Sequence, residues 1–291
     1  MENKHIQEII NKEFRCLDKG FIRLIEIMGD DSSIVQAARV SYGKGTKSIR
    51  EDRSLIRYLM RNSHTSPFEM VELKFHIRLP IFVARQWIRH RTANVNEYSG
   101  RYSEMTSDFY LPEKNQLRTQ STINKQGRSN DLIDESLTDE VIKSMETSQK
   151  NSYNEYIKYI NQGIAREIAR INLPLSSYTE WYWKIDLHNL FRFLKLRLDV
   201  HAQYEIRVYA ETIANILKQI LPISFEAFED YMLNSITFSS SELYLLKEVF
   251  NNVDLKSISD DENILSKTEL NEFIQKVTFI NENILNKNKG I

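Results

Sequence analysis

Apolar and polar residues alternate strictly along VELKFHIRL. Val71, Leu73, Phe75, Ile77 and Leu79 fall on one face, and Glu72, Lys74, His76 and Arg78 on the other. A period of two predicts a half-buried strand, ended by Pro80, which has no N–H for the ladder. GFIRLIEIMGD (20–30) reads as a strand closing in a turn, and the aromatic run YTEWYWKI (178–185) as another. Helical spacing predicts a short helix in SSIVQAARVSYG, stopped by Gly43, and one in EDRSLIRYLMRNS through Leu55, Ile56, Leu59 and Met60. After the turn HTSPFEM and the strand, IFVARQWIRHRT reads as a helix with Ala84, Trp87, Ile88 and Arg91 on one side and Gln86 and Arg89 on another.

Further along, SYNEYIKYINQGIAREIARINLP predicts one long amphipathic helix with Ile157, Ile160, Ile164, Ile168 and Ile171 in register, stopped by Pro174. Asp186 is placed to cap the next helix, LHNLFRFLKLRL, and HAQYEIRVYAETIANILKQILP makes another, ended by Pro222. Residues 112–140 are polar and without period, a long excursion. GKGTKS (43–48) lacks the glycine spacing of a phosphate loop and reads as a surface loop. Helices dominate, and the strands do not alternate with them regularly. The expected class is α+β, a small sheet flanked by several long helices. Beyond residue 233 the chain turns rich in Asn, Lys, Ser and Leu with two weak helical patterns, so a boundary is expected between 1–232 and 233–291.

With 39 basic and 40 acidic residues over 291, any anion site must be local rather than a property of the whole surface. No run reaches the length of a membrane span, and MENKHIQEII lacks an apolar signal core, so a cytoplasmic protein is expected. Cys16 is the only cysteine, which excludes an internal disulfide and multi-cysteine metal sites. It has no histidine beside it in sequence and reads as a structural residue. The histidines are too scattered to define a metal site, and none is expected. His76, on the polar face of its strand, reads as solvated; Trp181, Tyr182 and Trp183 read as core and interface.

The stretch RHRTANVNEYSGRY (89–102) concentrates Arg89, His90, Arg91 and Arg101, with Glu97 as its single acid. A helix C-terminus favours cations, which accounts for Arg89 and Arg91 as a solvated face but not for Arg101. In their order these residues resemble the signature of the flavin-dependent thymidylate synthases: Arg89, His90, Arg91, Asn96, Glu97, Ser99, Arg101 and Tyr102 stand in register. Asn94 departs from the serine often found there. HTSPFE, ARQWIRHR, AREIARINLP and LRLDVHAQYEI extend the resemblance over roughly residues 15–230.

The resemblance implies the fold of that family for residues 1–232 and conversion of dUMP to dTMP. Methylenetetrahydrofolate would give the carbon, and FAD reduced by NADPH the hydride, in a homotetramer with shared sites and no nucleic-acid or membrane partner. By resemblance, Gln86, Arg89, Glu97, Ser99, Gly100, Arg101 and Arg170 contact dUMP. His64, Ser66, Glu69, Arg89, His90, Arg91, Asn96, Glu97 and His201 contact FAD. Asp186, His188 and Arg192 match FAD positions more often occupied by Asn, Arg and Asn or His. Arg197 matches the arginine that activates the pyrimidine; too basic to act as a base, it would stabilise charge on the ring. Ser99 reads as a hydrogen-bonding group rather than a nucleophile, since no base stands at a fixed spacing. Two other readings compete: a nucleotide- or RNA-binding module using the cations for phosphate alone, and a flavin reductase that methylates nothing.

Overall fold

The alternation around Phe75 is realised as a strand whose inward residues Leu73, Phe75, Ile77 and Leu79 are fully buried. The computed structural model describes residues 4–40, 49–122, 125–250 and 264–283. Up to the signature the elements are α1 (Lys4–Ile9), β1 (Phe14–Cys16), β2 (Gly20–Met28), α2 (Asp31–Arg39), α3 (Ile49–Arg61), β3 (Glu72–Pro80), α4 (Ile81–Trp87) and β4 (Asn94–Glu97). After it come β5 (Arg118–Gln120), β6 (Arg128–Leu132), α5 (Glu135–Asn161), α6 (Arg166–Ala169), β7 (Tyr178–Asp186), α7 (Leu187–Arg197), α8 (Tyr204–Ile220), α9 (Pro222–Phe228), α10 (Ser240–Phe250) and α11 (Lys267–Asn283). GKGTKS and Gly43 lie outside the described residues.

The main sheet has the order β1-β2-β3-β7-β4 with antiparallel neighbours, and β5 and β6 form a separate hairpin. The class is therefore α+β, as the sequence predicts. One sheet face is apolar and packs on α4, α7 and α8. The other carries a charged lattice in which Lys184 reaches Glu72 at 3.0 Å and Arg78 meets Asp108 at 2.5 Å. His76 is not freely solvated: Tyr182 stacks on its ring at 5.0 Å, Phe21 meets it edge-on at 5.1 Å, and Glu180 holds its Nε2 at 2.9 Å. Trp181 and Trp183 belong to the core, whereas Tyr182 is exposed.

Local chemistry sets the punctuation. Asp30 caps α2 through a reciprocal box with Ser33, and Asp186 caps α7 by accepting from the Asn189 N–H. Pro80 ends β3 and enters α4; Pro222 does not simply stop α8 but opens α9, where its missing N–H costs nothing. Cys16 is buried against Thr212 at 3.3 Å, and burial pushes its thiol up to about 12, which suits a structural residue.

Three predicted elements differ. The long helix expected to run to Pro174 breaks at Gly163, whose φ of 82° ends α5; the chain restarts as α6 and a 3-10 turn, leaving Ile164, Ile168 and Ile171 exposed. Residues 112–140 are not a featureless excursion, since they hold the β5–β6 hairpin and the start of α5, capped by Asp134. And α4 stops at Trp87, so Arg89 and Arg91 lie beyond the helix on the path to β4 rather than on its last turn.

The contacts divide the chain into two units, Met1–Asn234 and Ser235–Ile291, the second containing α10 packed on α11. No helix among the described residues is long and apolar enough to cross a membrane.

Candidate active site

The signature is built on the sheet edge. Asn94, Val95, Asn96 and Glu97 pair in order with Lys184, Trp183, Tyr182 and Trp181 of β7, and the Tyr98 N–H continues the pairing to the Glu180 carbonyl at 2.8 Å. The chain then turns tightly. The Ser99 carbonyl accepts from the N–H groups of Tyr102 and Ser103, each at 3.1 Å, and the Ser99 hydroxyl from the Arg101 N–H at 3.4 Å. Glu97 accepts from the Thr179 hydroxyl at 2.8 Å.

Gly100 lets this turn approach its neighbours. A Cβ there would stand 2.8 Å from Met105 Sδ and 3.2 Å from Arg170 Nη1. Arg170 thus reaches the signature within one chain, so its distance in sequence does not by itself require a second subunit. The tighter obstacle is the buried Met105, and Arg170 is met at its Cδ (3.3 Å) as well as its Nη1, so Gly100→Ala should shift Met105 and displace Arg170. Its dUMP KM is expected to rise about tenfold, the equivalent of one charge-assisted hydrogen bond, with kcat nearly unchanged in steady-state assays. An unchanged KM would show that Arg170 does not need this approach.

A second group forms where α4 ends against α7. Arg197 Nε donates to His90 Nε2 at 3.0 Å, and its Nη2 reaches the Gln86 backbone carbonyl at 3.5 Å. His90 therefore uses Nε2 as an acceptor and carries its proton on Nδ1. Burial, then Arg197, then Arg192 hold its pKa down at about 4, so the ring is neutral at physiological pH. Burial also lowers the Arg197 pKa. Phe193 supports the His90 ring edge-on at 4.9 Å. Arg197 does not pair with Asp199, whose carboxylate accepts from the His201 N–H and ring at 2.8 Å each.

The remaining candidates distribute around these groups. Ser66 and Glu69 are exposed on a 3-10 turn packed on α7, with Phe68 against Phe191 at 6.5 Å and the Leu187 N–H on the Val71 carbonyl at 2.8 Å. His64 is exposed just before that turn and touches Tyr58 edge-on at 5.7 Å. Asp186 has both carboxylate oxygens on Asn189, one as the helix cap and one at 2.7 Å. His188 is half-buried on the first turn of α7, while Arg192 and His201 are exposed. Asn96 is an exposed residue of β4.

Charge is the most telling feature. Arg85, Arg89, Arg91 and Arg192 are exposed and have no ion pair or hydrogen bond from their guanidinium groups among the described residues; Arg101 touches only Glu167, at 3.3 Å. Cations gathered without carboxylate partners suit a polyanionic ligand, and guanidinium forks bind phosphate in a bidentate manner. This donor set fits a pyrophosphate-bearing cofactor beside a nucleotide monophosphate. Among the described residues no group of three or more His, Cys, Asp or Glu is placed to hold a metal ion.

Sequence reading missed one cluster. Glu205, on the first turn of α8, is buried with Arg128, Tyr110 and Gln203 as partners, and Gln203 in turn contacts Gln86. Its signal was an acid in register with Tyr209 and Ile213 on the apolar stripe of that helix.

Residues 23–223 match the family model of the thymidylate synthase complementing protein. The flavin-dependent thymidylate synthase of Ehrlichia ruminantium (strain Gardel) is 56% identical over 250 residues, covering 86% of this chain and 84% of that protein. That of Treponema denticola is 53% identical over 268 residues, covering 92% and 98%. Among solved structures, a UMP/dUMP methylase PolB from Streptomyces cacaoi bound with 5-Br dUMP aligns with a TM-score of 0.69 at 32% identity, covering 77% of this chain and 100% of that one.

Proposed function

This chain belongs to the family of flavin-dependent thymidylate synthases, and we propose that its unpartnered arginines hold nucleotide phosphates while Arg197 acts on the uracil ring. The reaction converts dUMP to dTMP with methylenetetrahydrofolate as one-carbon donor and NADPH-reduced FAD as hydride source. The observation that carries the assignment of roles is the pairing of a half-buried Arg197 with a neutral His90 beside four unpaired arginines.

Gln86, Arg89, Glu97, Ser99, Gly100, Arg101 and Arg170 form the dUMP side of the proposed site. His64, Ser66, Glu69, His90, Arg91, Asn96, Asp186, His188, Arg192 and His201 would hold FAD, with Arg89 and Glu97 serving both. When bound, FAD supplies the hydride that completes the methyl group. Arg197 keeps its charge and is partly withdrawn from water, so its field on a uracil ring becoming nucleophilic is stronger than at the surface. His90, with Nε2 occupied, offers Nδ1–H as a neutral donor. The arginines orient the nucleotide and offset its phosphate charge. Purified protein should form dTMP from dUMP, methylenetetrahydrofolate and NADPH. NADPH oxidation without dTMP would instead identify a flavin reductase, and a colourless protein a bare binding module.

A homotetramer with shared sites is part of the same proposal. Its support is the exposed edge strand β4 and the exposed apolar residues Ile88, Tyr102, Ile164, Ile168 and Ile171 near the cations in sequence. Light scattering that found an active monomer would sink it. Residues 233–291 lie beyond the family model, although the Treponema denticola relative aligns into them, and from 235 they form their own unit; they are proposed to be dispensable for chemistry. Ending the chain at Asn234 should leave flavin content and turnover within about twofold. A folded, flavin-bound truncation without turnover would refute this.

A further inference from the structure

Of the arginines assigned to phosphate, Arg101 alone has an ion-pair partner among the described residues. Glu167 meets its Nε at 3.3 Å, and both side chains are more than half exposed. Glu167 stands on the first turn of α6 and Arg170 follows three positions later, so the two share one side of that turn. The signature turn lies against them, since Arg170 Nη1 would stand 3.2 Å from a Cβ at Gly100. Ala169 is buried with Met105 and Tyr156, and the Tyr156 hydroxyl accepts from the Met105 N–H at 2.9 Å. This small core fixes α6 on the turn and so holds a carboxylate beside two cations assigned to phosphate. Glu97, the acid of the signature, is instead turned to the Thr179 hydroxyl. An exposed ion pair adds little to stability. Its consequence is for what else approaches Arg101.

We propose that Glu167 is a specificity-determining residue: its negative charge beside Arg101 admits the phosphate of a nucleotide monophosphate and disfavours di- and triphosphates. A phosphate on the Arg101 fork must displace Glu167 or share the guanidinium with it. In either case it comes within about one Debye length, ~8 Å, of the carboxylate. The repulsion grows with ligand charge. A monoester carries about two negative charges near neutral pH and a diphosphate about three, so the longer chain is penalised more. The attraction of Arg89, Arg101 and Arg170 also grows with charge, and alone would favour the polyphosphate. Glu167 offsets that bias, discriminating by repulsion of the wrong ligand. This inference rests on the reading of the site as a dUMP site with Arg101 and Arg170 on the phosphate.

The test is calorimetric binding of dUMP and dUDP to the purified flavin-loaded protein, with flavin-to-protein ratio and Tm measured alongside. Glu167→Gln removes the charge and keeps the shape, whereas Glu167→Asp keeps the charge. The parent is expected to prefer dUMP. Glu167→Gln should tighten dUMP about threefold and dUDP about tenfold, narrowing the preference about threefold, and the gain should shrink as salt is raised. Glu167→Asp should keep the parent preference. Should the glutamine variant fail to fold, Glu167→Ser decides by the same ratio. An unchanged dUMP-to-dUDP ratio in the uncharged variant, whether the affinities stay, rise or fall together, would assign Glu167 a merely structural role and overturn the proposal. An aspartate variant that matches the glutamine one, or a parent that prefers dUDP, would overturn it as well. If the parent itself fails to bind dUMP, the functional reading falls first, and that result is distinguishable from a parent that binds while the variant keeps its preference.

Discussion

Arg197→Ala should lower the rate of dTMP formation about 10²–10³-fold while the protein keeps its flavin. On the proposed assignment phosphate affinity is spread over Arg89, Arg101 and Arg170, so the loss of a cation elsewhere is partly tolerated. Charge developing on the uracil ring needs a donor aimed at one place, the role proposed for Arg197, whose guanidinium is fixed by His90 and the Gln86 carbonyl. Lysine should rescue poorly, because an ammonium keeps the charge but not the planar fork. The substitution has a second, independent readout. Arg197 is the second cause, after burial, of the low His90 pKa, so its removal should raise the His90 midpoint from about 4 toward the ordinary imidazole range. The protonated ring would then persist to higher pH. Single-turnover flavin oxidation with dUMP and methylenetetrahydrofolate, together with an NMR titration of His90, would check both. Normal turnover, or failure arising only from flavin loss, would show the assigned role to be wrong.

What the sequence made legible was local. Strict alternation at Leu73–Leu79, an Asp just before the apolar stripe of α7, and a dense run of specified residues from Arg89 to Tyr102 each report on neighbours a few positions away. The failures were of two kinds. Isoleucines at 157, 160, 164, 168 and 171 keep helical spacing across Gly163, so periodicity alone read through a break that a single positive φ creates. The buried Glu205 cluster joins partners 77 and 95 positions apart, which no local window can register. The same holds for Arg197 and His90, separated by 107 positions: resemblance named both, but only the fold brings them into contact and explains why the histidine is neutral.

Trp87→Ala should cost about 3–5 kcal/mol of stability, the usual range for emptying a buried indole site. Trp87 is fully buried and is the hub of an aromatic cluster, with ring centroids 4.7 Å from Phe193, 5.1 Å from Trp183, 5.8 Å from Trp181 and 5.9 Å from Tyr209. Against a typical total of about 5–15 kcal/mol, that loss is a large fraction, so part of the population should unfold near physiological temperature. Phenylalanine should cost less for a reason beyond size. The indole N–H of Trp87, like those of Trp181 and Trp183, is buried without a hydrogen-bond partner among the described residues. Removing an unsatisfied donor recovers part of its desolvation cost, about 1–3 kcal/mol in general, which offsets some of the lost packing. The consequence reaches the site through Phe193, which packs on both Trp87 and His90. A cavity at Trp87 loosens the support that holds His90 on Arg197, so Trp87→Ala should also lose turnover in the fraction that remains folded, and Trp87→Phe should retain most of it. Urea unfolding followed by circular dichroism gives the stability order, expected as parent, then phenylalanine, then alanine. An alanine variant within about 1 kcal/mol of the parent would mean that the cluster relaxes to fill the space, and that α4 is held in place chiefly by its sheet contacts.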